Sequence, residues 1–96
     1  MKTVLVDAGD VRVQGSVAQG FEAVTEAFAN NFTEHGDVGA AFALYHRGRC
    51  VVDIWGGLAD PDSGKPWEQD TVVLVFSAAK GPTATCIHRL IEAGRL

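Results

Sequence analysis

The chain has 96 residues, 47% of them hydrophobic and 21% charged, with a formal net charge of -4. That is enough for one small domain, and the composition excludes a disordered chain or a coiled coil. The eight Lys and Arg residues are scattered, which argues against a nucleic-acid partner, because phosphate binding needs them clustered.

No apolar run approaches the ~20 residues needed to cross a bilayer. The first apolar stretch is broken by Asp7 and Asp10, unlike a secretory leader with its longer apolar core and small-residue cleavage site. A cytoplasmic protein with no membrane partner is therefore expected, its Cys50 and Cys86 reduced and buried. His35, His46 and His88 lack metal-ligand spacing, and no Gly-rich dinucleotide or phosphate loop is present, so no metal and no cofactor are expected.

The first clear element starts near Gly20. Phe21, Val24, Phe28 and Phe32 fall three or four residues apart, a spacing that predicts a helix of about four turns with one apolar stripe. Glu22 and Glu26 favour its positive end, and Gly36 offers a left-handed stop. Residues 38–46 are apolar in both alternating registers, which predicts a strand buried on both faces. Gly48 supplies a turn, and residues 50–55 return as the second strand of an antiparallel hairpin with no obvious third partner. Gly56 and Gly57 are expected to end it, as a bulge or a close backbone approach, with Trp55-Gly56-Gly57 a packed strand end. Residues 60–66 read as a surface loop, and residues 72–76 as a short apolar approach too brief to classify. A helix is predicted from Ser77, carrying Ile87, Leu90 and Ile91 on one stripe, with Pro82 tolerable near its start and Gly94 as its stop.

Ser77-Ala78-Ala79-Lys80 at the start of that helix is the chemical signal. A serine hydroxyl is a poor nucleophile until something takes its proton. Residues i and i+3 share a helix face, so the Lys80 amine can reach the Ser77 hydroxyl. Burial favours the neutral form of an amine, which is the form that accepts a proton. The backbone N–H of a residue opening a helix is also available to a developing oxyanion. Alone, the motif is weak: roughly one chain in three of this length would hold it by chance. Ser77 can equally be a helix N-cap and Lys80 a solvated residue. A Ser-His-Asp triad with Asp53 and His88 is conceivable, although spacing gives no geometry for it.

The wording around the motif narrows the choice. Phe21-Glu22-Ala23-Val24, Gly39-Ala40-Ala41, the stretch from Val51 through Trp55-Gly56-Gly57 to Asp60, Asp70-Thr71 and Phe76-Ser77-Ala78-Ala79-Lys80-Gly81 together resemble the amino-terminal third of β-lactamase-related serine hydrolases, which include class C β-lactamases, family VIII carboxylesterases and penicillin-binding proteins. The resemblance implies an α+β fold, an antiparallel sheet flanked by helices beside a helical region. Residues 1–96 are expected to be a truncated N-terminal part of one such domain, in the order helix, hairpin, loop, nucleophile helix. It also implies Ser77 as acylated nucleophile, Lys80 as its activating partner, and small carboxylic esters or β-lactam-like amides as substrates. The family's Tyr-x-Asn-like motif and its Lys- or His-x-Gly strand are not found after Lys80, and Tyr45 cannot stand in. The 96 residues by themselves are thus expected to be inactive. The alternatives are a non-catalytic incomplete copy and a binding or sensing module that uses acylation as its signal.

Overall fold

A computed structural model describes all of residues 1–96. In chain order the elements are β1 (Lys2–Ala8), β2 (Val11–Val17), α1 (Glu22–Glu34), β3 (Gly39–His46), β4 (Arg49–Asp60), β5 (Lys65–Pro66), a 3-10 turn (Phe76–Ala79) and α2 (Lys80–Glu92). The sheet runs β1-β2-β4-β3, every neighbouring pair antiparallel, with β5 pairing the far end of β4. The expected α+β architecture is present, with an addition at its front.

Two strands precede the helix that was read as the first element. Val4, Ala8, Val13 and Val17 are their buried positions, and a two-residue turn with Gly9 at φ 62° joins them. β2 then pairs β4 from Val13↔Gly56 to Val17↔Val52. The β3–β4 hairpin therefore does have a third strand beside it, contrary to the sequence reading. At Gly15, φ is 132° and a Cβ would collide with the Asp53 carbonyl oxygen, so only glycine lets β2 lie this close to β4.

α1 lies across β1, β2 and β4 and closes a core of Val4, Val13, Val17, Phe28, Ala29, Phe32, Val52 and Ile54. Val13, Val52 and Ile54 are fully buried. The predicted stripe is the packed face: Phe28 meets Phe32 edge-on at 5.4 Å between centroids, and Phe21 and Val24 pack at its margin. At the helix start the Glu22 carboxylate accepts the Gly20 N–H at 2.7 Å. Gly36, at φ 73°, follows the last turn.

β3 is not buried on both faces. It is the edge strand and α1 does not reach over it, so Ala41, Phe42, Ala43 and Tyr45 are exposed. Alternating apolar residues report what a strand could bury; its place in the sheet decides what it does bury. The central position falls to β4, which continues through Gly56 and Gly57 to Asp60 instead of stopping at Trp55. Gly57 has φ 83° and a Cβ there would strike the Val38 carbonyl oxygen; this is the close approach expected at that pair, inside a strand and not at its end. The β3–β4 turn places Arg47 at φ 52° and Gly48 at φ 77°, the successive positive values of a type I′ hairpin turn.

Both cysteines are free, but neither is fully buried. Cys50 is half-buried, with its Sγ 3.4 Å from the Val52 carbonyl oxygen, and Cys86 is exposed on α2. Pro61 to Gly64 form a turn, and beyond it β5 pairs back on β4 at Asp60↔Lys65 and Leu58↔Pro66. The expected loop is thus the tip of a short hairpin.

Candidate active site

The chain leaves the sheet in steps. The Trp67 N–H donates to the Gly57 carbonyl at 2.9 Å, and the Gln69 amide donates to the Asp53 carboxylate, also at 2.9 Å. Thr71 closes the small loop that follows, its hydroxyl accepting the Glu68 N–H at 2.8 Å. Residues 72–75 then run without regular structure, and Val72 and Leu74 stand fully in solvent.

The helix predicted from Ser77 begins as a 3-10 turn over Phe76–Ala79 and becomes α-helical at Lys80. The Ala78 N–H donates to Val75 at 3.0 Å and the Lys80 N–H to Ser77. The Ser77 N–H has no backbone or side-chain acceptor, as expected of an early position in a helical turn. Thr83 and Thr85 hydroxyls bond back to the Ala79 and Gly81 carbonyls at 2.9 and 3.0 Å. Pro82 is the third residue of α2, close enough to the helix start for a missing N–H to be tolerated. The helix ends at Gly94, φ 72°, with the Arg95 N–H reaching the Leu90 carbonyl at 2.9 Å, a Schellman-type closure.

Ser77 and Lys80 line one open hollow together with Phe76, Ala79, Thr83 and Ala84. The two side chains that the motif singles out therefore share a face, as the i, i+3 spacing requires. Neither is buried, and no hydrogen bond joins them. The conceivable triad is not assembled: Asp53 is held by Gln69 on β4, and no hydrogen bond links Asp53 or His88 to Ser77. A second hollow of about 640 Å³ lies between β1 and α1, but no Ser, Cys or His lines it.

Two features here escaped the sequence reading. One is the Gln69–Asp53 tie between loop and sheet. The other is Phe76, whose backbone takes φ 48° immediately before Ser77. A hydrophobic aromatic side chain gives no hint of a positive φ.

The α+β fold is that of a class of serine hydrolases, and comparison with known proteins gives the chain a family. Residues 24–96 match the family model described as Beta-lactamase, and the chain belongs to that family. It is 47% identical over 88 residues to the protein named esterase/beta-lactamase LipL of Mycobacterium tuberculosis (strain ATCC 25618 / H37Rv), covering 92% of this chain and 20% of that protein. Its fold matches the crystal structure of a family VIII carboxylesterase with a TM-score of 0.80 and 43% identity, over 85% of this chain and 22% of that one. The chain thus spans about one fifth of the length of these relatives.

Proposed function

We propose that this chain carries the nucleophile of a serine hydrolase that cleaves small carboxylic esters or β-lactam-like amides through an acyl-enzyme. Ser77 Oγ attacks the carbonyl carbon while the Lys80 amine takes its proton. The Ser77 N–H donates to the oxyanion that forms. The bond from carbonyl carbon to the leaving oxygen or nitrogen then breaks, the proton passes from Lys80 to the leaving group, and water later releases the acyl group from Ser77. One observation carries this reading: Ser77 and Lys80 face the same hollow from one helical turn, and the Ser77 N–H is free of any internal acceptor.

The test is covalent. The natural full-length protein is treated with a fluorophosphonate that labels activated serines, and the adduct is located by mass spectrometry. Label on Ser77 that disappears in Ser77→Ala is the expected result; label persisting in that variant sinks the assignment. The alternatives are a non-catalytic copy and an acylation-dependent sensor, and the same experiment separates them. A non-catalytic copy takes no label, and a sensor takes label but does not turn over.

A further inference from the structure

The sheet has two open edges, β3 and β1. The β3 ladder is interrupted by a register shift between Leu44 and Tyr45. β1 is uninterrupted: it pairs β2 from Lys2↔Val17 to Ala8↔Val11 without a bulge, and it holds no proline. A regular edge of this kind is a template for another strand, and natural proteins blunt such edges unless they use them. Val4 and Ala8 are buried under α1, so Val6, at the same alternation, points to the α1 face and Leu5 to the other. Leu5 and Val6 are nonetheless 65% and 42% exposed. Apolar side chains thus flank the open edge on both faces of the sheet.

The α1 side of that edge is also unfilled, since the hollow of about 640 Å³ lies there. α1 runs in the same direction as β1. Lys2 and Glu22 border a common hollow at one end, and at the other a Cβ on Gly9 would lie 3.7 Å from the Thr33 methyl. Along the β1 side α1 presents Glu22, Glu26, Asn30 and Thr33 to the hollow, a row that is acidic in its first half and uncharged in its second.

That asymmetry selects the occupant. With β1 paired antiparallel to β1 of a second copy about a two-fold axis at Leu5, Leu5 meets the partner's Leu5 and Val4 meets the partner's Val6. Lys2 meets the partner's Ala8, and Thr3 meets the partner's Asp7, so no like charges are opposed. Because α1 follows the direction of β1, the same axis sets the Glu22 end of one helix against the Thr33 end of the other. The carboxylates of Glu22 and Glu26 then face neutral residues instead of each other. A slip of one residue would put the partner's helix on the opposite face of the sheet and lose this match. A seven-residue strand pair alone falls short of the ~800 Å² per partner of a standard interface, so the facing α1 rows are part of the contact.

We propose that the natural full-length protein forms a two-fold dimer through β1, the two sheets continuing as one with both α1 helices on the same face. The proposal does not depend on the reading of Ser77.

The experiment combines sedimentation with disulfide trapping in the natural full-length protein. The parent is expected to sediment as a dimer at micromolar concentration. Mild oxidation of Leu5→Cys should link two copies through position 5, the link being located by mass spectrometry. Thr3→Cys should not link to itself, because the axis separates the two copies of position 3 by about 13 Å along the strands, beyond the ~7 Å that a disulfide can bridge. Mixed with Asp7→Cys, it should link to position 7. Leu5→Lys sets like charges opposite each other at the axis and should raise the dimer Kd by about tenfold or more. Its monomer should melt close to the parent temperature, because Leu5 is already exposed. A monomeric parent overturns the proposal. So does a dimer that gives no link through position 5, one in which Thr3→Cys links to itself as readily as Leu5→Cys, or one whose Kd is unchanged by Leu5→Lys. If Leu5→Lys does not fold, the trapping pattern decides alone.

Discussion

The Gln69 side-chain amide donates to the Asp53 carboxylate at 2.9 Å, tying the loop ahead of the nucleophile turn to the central strand of the sheet. Beside it, the Trp67 N–H bonds the Gly57 carbonyl. These bonds join residues 67–71 to the strand that α1 and β2 hold rigid, and the segment beyond adds few contacts of its own: every residue from 72 to 96 is exposed. The placement of Ser77 relative to the sheet thus hangs on a short polar tether. Gln69→Ala should cost about 0.5–1.5 kcal/mol, the net value of one hydrogen bond. It should also raise amide hydrogen exchange at Glu68 and Thr71 far more than at Val52 or Ile54. Uniform exchange across both regions would show that the tether does not hold the loop.

Gly57 is a steric requirement of the sheet. Its φ of 83° and the Val38 carbonyl against its α-carbon leave no room for a methyl group. Gly57→Ala should destabilise the fold by about 1–3 kcal/mol, through backbone strain and loss of the β3–β4 fit. Denaturant unfolding measures this directly. A loss below ~0.5 kcal/mol would mean that the strand end relaxes freely.

How much of this was legible in the residues varies with the range of the interaction that decides it. The stripe of Phe28 and Phe32, the turn at Gly48 and the helix stop at Gly94 follow from local spacing, and each is where it was expected. The β1–β2 hairpin was missed although Val4, Ala8, Val13 and Val17 fall at strand-like intervals, because Asp7, Gly9, Asp10 and Gly15 break the apolar pattern. Burial of residues 38–46 was misjudged for a different reason. Whether β3 or β4 is central depends on β2 choosing β4, a long-range pairing that no window of adjacent residues contains. At the candidate site the motif named Ser77 and Lys80, whereas Phe76 has no residue type that announces a left-handed backbone.

Asp60 gives a pH signature. The Ser63 hydroxyl at 2.9 Å and the Asp62 N–H at 3.0 Å both donate to its carboxylate and hold its pKa below the ordinary aspartate value. A carboxyl whose folded pKa is depressed favours the folded turn above its unfolded pKa, and that contribution fades as pH falls through the folded value. A carboxyl-carbon NMR titration should therefore place the Asp60 midpoint below the usual range, and Ser63→Ala should move it upward. A midpoint unmoved by Ser63→Ala would show that the hydroxyl does not set it.

Lys80→Met should abolish acylation of the natural full-length protein while leaving its melting temperature nearly unchanged. Methionine suits a helix as well as lysine does, and the Lys80 side chain is exposed and makes no hydrogen bond or ion pair in this chain. Loss of one member of a coupled nucleophile unit typically costs several orders of magnitude in rate. A variant retaining more than a tenth of the parent rate assigns Lys80 a purely structural place.

The last expectation concerns residues 1–96 alone: no hydrolysis of p-nitrophenyl acetate or nitrocefin above that of Ser77→Ala. Ser77, Lys80 and the rest of the nucleophile turn are open to solvent. Water competes there for the Ser77 N–H and for both side chains, and charges in a high dielectric interact weakly. An oxyanion at Ser77 would have one fixed backbone donor, whereas removal of a single donor from a complete oxyanion hole costs ~100–1000-fold in kcat. The exposed edge of β3, with Phe42 and Tyr45 in solvent, also favours association of the isolated chain through that strand. Sedimentation beside the turnover assay separates two outcomes. Activity that rises with the associated fraction would mean that copies complete each other's sites, and activity in the monomer would mean that these 96 residues assemble a working serine on their own.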